Sequence, residues 1–213
     1  VGGVQNMTNL VSNTGVVATD VSGVGTARRS QKACSYGTNY EKGIFGFGHI
    51  GPSATAVSNL VSNTGVMGTD VSGVGTARSE LAATQYGDDK AIFGYGFTGS
   101  YVSMSNLVSS SGVVATDTTG VGTDRQGLAA CSYGLDKGIF AYGRTPDAPD
   151  LTVTAVSNLV SNTGVVATDV SGVGSARRVL AACEYGSDKG IFGYGITSSN
   201  TNITNLVNNS GVI

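Results

Sequence analysis

The chain has 213 residues, with twelve Lys or Arg against fourteen Asp or Glu. So even a balance excludes the basic stripe that nucleic-acid binding requires. Nor is there an apolar run of about eighteen residues, a polybasic patch or a leader-like segment to suggest membrane insertion. The length suits one domain or one array of small units, and a soluble protein is expected.

Gly accounts for 33 residues and Pro for three, and Trp is absent. Val, Ser, Thr and Asn are abundant, and β-branched residues punctuated by Gly, Asn and Asp favour short strands and tight turns. The composition therefore predicts an all-β chain. It opens on Val1 rather than Met, so its ends read as those of a processed product or of part of something longer.

Along the chain, "SNTGVVATDVSGVGTAR" starts at Ser12 and returns almost unchanged at Ser62 and Ser161. Asn-Leu recurs at Asn9, Asn59, Asn106, Asn158 and Asn205, at intervals of 50, 47, 52 and 47 residues. These mark the repeat starts of one repeat-built domain spanning residues 1–213, the last repeat being partial. Each repeat opens with a hairpin, "NLVSNTGVVATD", turning at Asn13 to Gly15. A second hairpin follows, such as Leu81 to Gly96 with its turn at Gly87 to Asp89. Four strands per repeat are expected.

From the repeated Asn to Arg28, Arg78, Arg125 or Arg177 the spacing is always nineteen residues. From those arginines to Tyr36, Tyr86, Tyr133 and Tyr185 it is always eight. Length varies mainly in segments 49–58, 97–105, 144–157 and 196–204, so these should project from one side of the assembly. Strand alternation predicts that Phe93 and Tyr95 share one face, as do Phe45/Phe47, Phe140/Tyr142 and Phe192/Tyr194. Those bulky faces should stack on small ones such as Ala82, Ala83 and Thr84.

The order Arg78, small strand to Tyr86, turn, then Ile92-Phe93-Gly94-Tyr95-Gly96 resembles the Kelch-type β-propeller repeat. Gly-Tyr-Gly, Gly-Phe-Gly or Ala-Tyr-Gly stands where that family has Gly-Gly, and no Trp marks the outer strand. The wording is also similar to tandem-repeat structural or tail-associated proteins of environmental bacteriophages. The resemblance implies a β-propeller of four-stranded antiparallel blades, four or five in number, possible as part of a larger ring or assembly. With five first hairpins and four second ones, three arrangements stay open. They are a ring joined by its terminal strands, five blades with one thin, and a segment of a larger ring. Spare edge strands would favour assembly.

Each full repeat carries an Asp (Asp20, Asp70, Asp117, Asp169), the Arg eight residues on, and a Lys (Lys42, Lys90, Lys137, Lys189). An acid, a base and an anion clamp would use such residues. A fourfold copy suits a loop fixed alike in every repeat better than four active sites. "SGVG" lacks the Gly-Lys-Ser/Thr ending of a phosphate loop and reads as turn glycines. Cys34, Cys131 and Cys183 share one repeat position with Thr84, without zinc-motif spacing or a disulfide framework, so small packing residues are expected and no metal or cofactor is assigned. His49 has no nucleophile partner in a recognisable motif.

No catalytic residue is assigned. The non-repeated Tyr101, Arg144 and Asp147 are the ligand-binding candidates of the variable side. The expected role is a non-enzymatic structural or attachment protein on a virion or other extracellular particle. It would bind a neighbouring structural protein or a cell-surface glycan, in an oligomeric context. The alternative is a propeller glycosidase or lectin, for which Glu184 is a singular acid with no evident partner.

Overall fold

The structure, a computed structural model, describes residues 3–147 and 152–213; part of variable segment 144–157 lies outside them. The described residues form β-structure and one 3-10 turn, Thr38–Tyr40. In chain order the first strands are β1 (Lys32–Tyr36), β2 (Lys42–Gly46), a short ladder of β3 (His49–Ile50) with β4 (Ser53–Ala54), and β5 (Ser58–Val61). Then come β6 (Ala82–Tyr86), β7 (Lys90–Phe97) and β8 (Tyr101–Val108), followed by β9 (Ala129–Tyr133), β10 (Lys137–Ala141) and β11 (Ser157–Val160). The last three are β12 (Ala181–Tyr185), β13 (Lys189–Gly193) and β14 (Thr204–Val207).

These strands make four antiparallel three-stranded sheets, β1-β2-β5, β6-β7-β8, β9-β10-β11 and β12-β13-β14. We call them units 1 to 4. The second hairpin forms as expected: Ala82 to Tyr86 pairs with Gly94 to Lys90. The third strand comes from the next repeat's first hairpin, with Asn59 opposite Phe45 and Asn205 opposite Phe192.

The expected fourth strand is reduced to isolated bridges, such as Ser58 with Val71 and Val61 with Met67. The repeated Asn explains why. Asn59 Nδ2 donates to the Gly68 carbonyl at 3.1 Å and to Asp70 Oδ1 at 2.9 Å, so a side chain takes the place of ladder bonds. Ser62 Oγ then closes the turn by accepting from the Val66 amide at 3.0 Å.

Units pack in chain order, β1 beside β6, β6 beside β9 and β9 beside β12. The expectation that Phe93 and Tyr95 share a face is corrected here. Tyr95 has φ 63°, and the β7–β8 register shifts between Gly94 and Gly96. This left-handed residue reverses the alternation. Phe93 therefore meets Phe47 of unit 1 edge-on at 5.1 Å, and Tyr95 meets Phe140 of unit 3 at 5.2 Å. Tyr142 and Phe192 repeat the contact at 5.4 Å. Bulk does sit on smallness: a Cβ on Gly46 would lie 2.8 Å from Phe93, and one on Gly94 would lie 2.8 Å from Phe140. Each junction is sealed by an aromatic pair over a glycine or alanine, which buries surface that no single unit could hide.

Candidate functional site

Three sets of side chains were candidates for chemistry, and the structure separates them. The first is the repeated Asp and Arg. Asp117 accepts from the Thr76 amide at 3.1 and 3.0 Å, from Thr76 Oγ1 at 2.6 Å and from Asn106 Nδ2 at 2.9 Å. Asp70 treats Thr26 in the same way, and Asp169 treats Thr123. Burial works against the Asp117 charge, but the Thr76 and Asn106 bonds hold its carboxyl below the usual range.

The ion-pair partner is not the Arg eight residues later but the one a repeat earlier: Arg28 with Asp70 and Arg78 with Asp117, each at 3.9 Å. Burial lowers Arg78 to about 10, against the pull of Asp117, which leaves it charged at neutral pH. It donates to the Tyr95 carbonyl at 2.9 Å and lies 4.2 Å over the Phe47 ring of the preceding unit. The lysines stand apart, paired with their neighbours, as in Lys90 with Asp89 at 2.5 Å and Lys137 with Asp136 at 2.7 Å. The Asp, Arg and Lys thus form no common site. The "SGVG" glycines serve the same loop: Gly75 has φ 78°, and a Cβ there would lie 2.4 Å from Asp117 Oδ1, space that only glycine leaves.

The second set is a cleft lined by the first strands of all four units, including Cys34, Thr84, Cys131, Cys183 and Glu184. The equivalent cysteines thus line one cleft. Cys131 and Thr84 each lie against a glycine of the following unit. A Cβ on Gly190 would lie 2.4 Å from Cys131 Sγ, and one on Gly138 2.7 Å from Thr84 Cγ2. Burial pushes both the Cys34 and Cys131 thiols up to about 12, which works against thiolate metal ligation. Cys183 is exposed. In a timed alkylation at pH 8, we expect one thiol to react quickly and two slowly, with mass mapping placing the fast label on Cys183.

Glu184 is the one acid in the lining of this cleft, and it has hydrogen-bond partners that the spacing of the sequence conceals. Gln85 Nε2 donates to its Oε2 at 3.0 Å, and Ser132 Oγ donates to the same oxygen. Gln85, Ser132 and Glu184 occupy one repeat position, so their equivalence was visible while their contact was not. Tyr40 was missed altogether. Tyr36 to Lys42 is six residues, against four from Tyr86 to Lys90, and this longer turn carries Tyr40. Its hydroxyl is buried without a hydrogen-bond partner. Burial raises it to about 12, reinforced by the nearby charges of Asp88, Glu184 and Asp136.

The third set is the variable side. Its segments begin at equivalent bridges: Arg29 with His49, Ser79 with Phe97, Gln126 with Arg144, and Arg178 with Ile196. His49 Nε2 is 2.8 Å from Ser79 Oγ, a hydrogen bond that ties it to the next unit. Arg144 Nε donates to the Tyr101 hydroxyl at 2.8 Å, and Tyr101 meets Phe97 edge-on at 5.7 Å. Two of the three ligand-binding candidates are thereby brought together across units 2 and 3. Asp147 is exposed and makes no described contact with them. No helix among the described residues is long and apolar enough to cross a membrane. No family model matches this chain, and no curated protein matches it.

Proposed function

We propose that the chain is a non-enzymatic attachment or structural protein whose sheets are blades of a four- or five-bladed β-propeller. It binds a cell-surface glycan or a neighbouring protein through its variable side. The observation that carries this reading is the Tyr101–Arg144 pair: non-repeated residues of two units held against each other by a 2.8 Å bond. An aromatic face beside a half-buried guanidinium is a common recognition element. The repeated charges, by contrast, are taken up within the scaffold: the Lys by a neighbouring Asp, the Asp by a loop of its own unit, and the Arg by the ring of the preceding unit. Display on a phage virion or tail rests on the wording of the repeat.

Glu184 favours a second reading, a propeller glycosidase or lectin working in the cleft. Glycoside hydrolysis ordinarily needs two carboxyl groups about 5–9.5 Å apart, and the lining of this cleft supplies one. A glycan array and a whole-particle binding assay on three forms would separate the readings. Tyr101→Ala with Arg144→Ala should weaken binding about tenfold or more, and Glu184→Gln should leave it unchanged. Loss of binding, or of a measured glycosidase activity, in Glu184→Gln alone would transfer the function to the cleft.

A further inference from the structure

Every internal junction uses the same parts. The aromatic at position 47, 95 or 142 receives the next unit's Phe and the next unit's Arg. Arg78 lies over Phe47, Arg125 over Tyr95 and Arg177 over Tyr142, at 4.2, 4.5 and 4.1 Å. Unit 4 has the receiving half, and no aromatic pair forms there among the described residues. Tyr194 is 65% exposed whereas Tyr95 and Tyr142 are 0% exposed. A Cβ on Gly193 would meet only Thr204 within 4 Å, where Gly94 holds Phe140. Unit 1 has the inserting half without a receiver among the described residues: Phe45 is half-buried, whereas the equivalent Phe93, Phe140 and Phe192 are wholly buried.

A third open feature lies at the first hairpin. Thr8 and Val11 bridge only within it, to Val21 and Val17, whereas the matching β5 pairs with β2. The hairpin is nevertheless set for use. Asn9 Nδ2 donates to Asp20 Oδ1 at 2.8 Å, as Asn59 does to Asp70, and Leu10 fills the space over Gly65. An open groove of about 320 Å³ runs between Thr8, Asn9, Arg28 and Phe45.

From these surfaces we infer a docking slot for one further inner strand pair of this repeat type. Its Arg and Phe seat on Tyr194, its own Gly-Tyr-Gly receives Phe45 and Arg28, and its second strand pairs with Thr8–Val11. Asp20 caps its Thr-Ala-Arg segment. The slot already carries its third strand, so it fits a bare strand pair. The inner pairs of a second copy already carry third strands of their own. This inference rests on the unit-to-unit interface and is independent of what the variable side binds.

The probe is a synthetic peptide with the sequence of residues 73–96, GVGTARSELAATQYGDDKAIFGYG, which contains no Cys. With peptide at about nine times its dissociation constant, one molecule in ten stays free and alkylation of Cys183 should slow about tenfold, and the complex should be 1:1 by sedimentation. Phe93→Ala in the peptide, or Tyr194→Ser in the protein, should abolish that protection. Should the peptide prove insoluble, the chain carrying residues 167–195 again after Ile213, in register with the repeat, is the second test. That chain should melt in one transition at higher temperature, with Tyr194 inaccessible to chemical labelling. The inference is overturned by unaltered Cys183 alkylation with soluble peptide, by an extended chain that melts no higher, by a Tyr194-dependent dimer, or by a monomer in which Tyr194 is already protected.

Discussion

Arg78→Met should lower the free energy of unfolding by about 3 kcal/mol, because it strands buried acceptors that each cost roughly 1–3 kcal/mol when unpaired. The guanidinium is wholly buried and donates to the carbonyls of Tyr95, Thr76 and Phe93 at 2.9, 3.2 and 3.5 Å. Methionine keeps much of the stem volume and loses every one of these bonds, along with the stacking on Phe47. Arg78→Lys retains the charge without the planar fork and should recover only part of the loss. Urea titration of the three proteins measures this as a shift in midpoint at constant slope. An unchanged midpoint in Arg78→Met would mean that the arginine is a passenger in the junction.

Phe140→Ala should cost about 3–5 kcal/mol, the usual range for deleting a fully buried Phe. Its ring is 0% exposed, edge-on to Tyr95 and over Gly94. Phe45→Ala changes the same residue type at the same repeat position and should cost about 1 kcal/mol, since the ring is only half removed from water. Paired thermal or denaturant melts give the difference directly. Equal costs would show that Phe45 has a packing partner like the others.

Much of this fold is legible in the chain. Fixed spacings from Asn59 to Arg78 to Tyr86 mark the repeat, and the second hairpin falls at the expected residues. Two readings failed for local physical reasons. The alternation rule assumes extended backbone, and the positive φ at Phe47, Tyr95, Tyr142 and Tyr194 breaks it. The fourth strand is expected from the Asn-Thr-Gly turn and its apolar flanks, while the Asn59 side chain occupies bonds that strand would have made.

The candidate sites divide in the same way. Tyr101 and Arg144 stood out because they do not repeat, yet their bond depends on two variable segments meeting in space. The spacing sets an arginine eight residues after each Asp, whereas the arginine that pairs with Asp70 or Asp117 lies one repeat earlier. Adjacency in a repeat is set by which hairpin completes which sheet, and Asp117 comes from the hairpin that completes the sheet of Arg78. Glu184 seemed solitary because Gln85 and Ser132 lie 99 and 52 residues away.

The most direct test of a scaffold built from one recurring junction, with its two halves left open at units 1 and 4, is hydroxyl-radical footprinting of the tyrosines. Tyr185 and Tyr194 should be oxidised quickly, at 40% and 65% exposure, while the equivalent Tyr86, Tyr133, Tyr95 and Tyr142, each at most 3% exposed, stay protected. Protection of Tyr194 to the level of Tyr142 in the monomeric chain would contradict the account, because the fourth junction would then be closed.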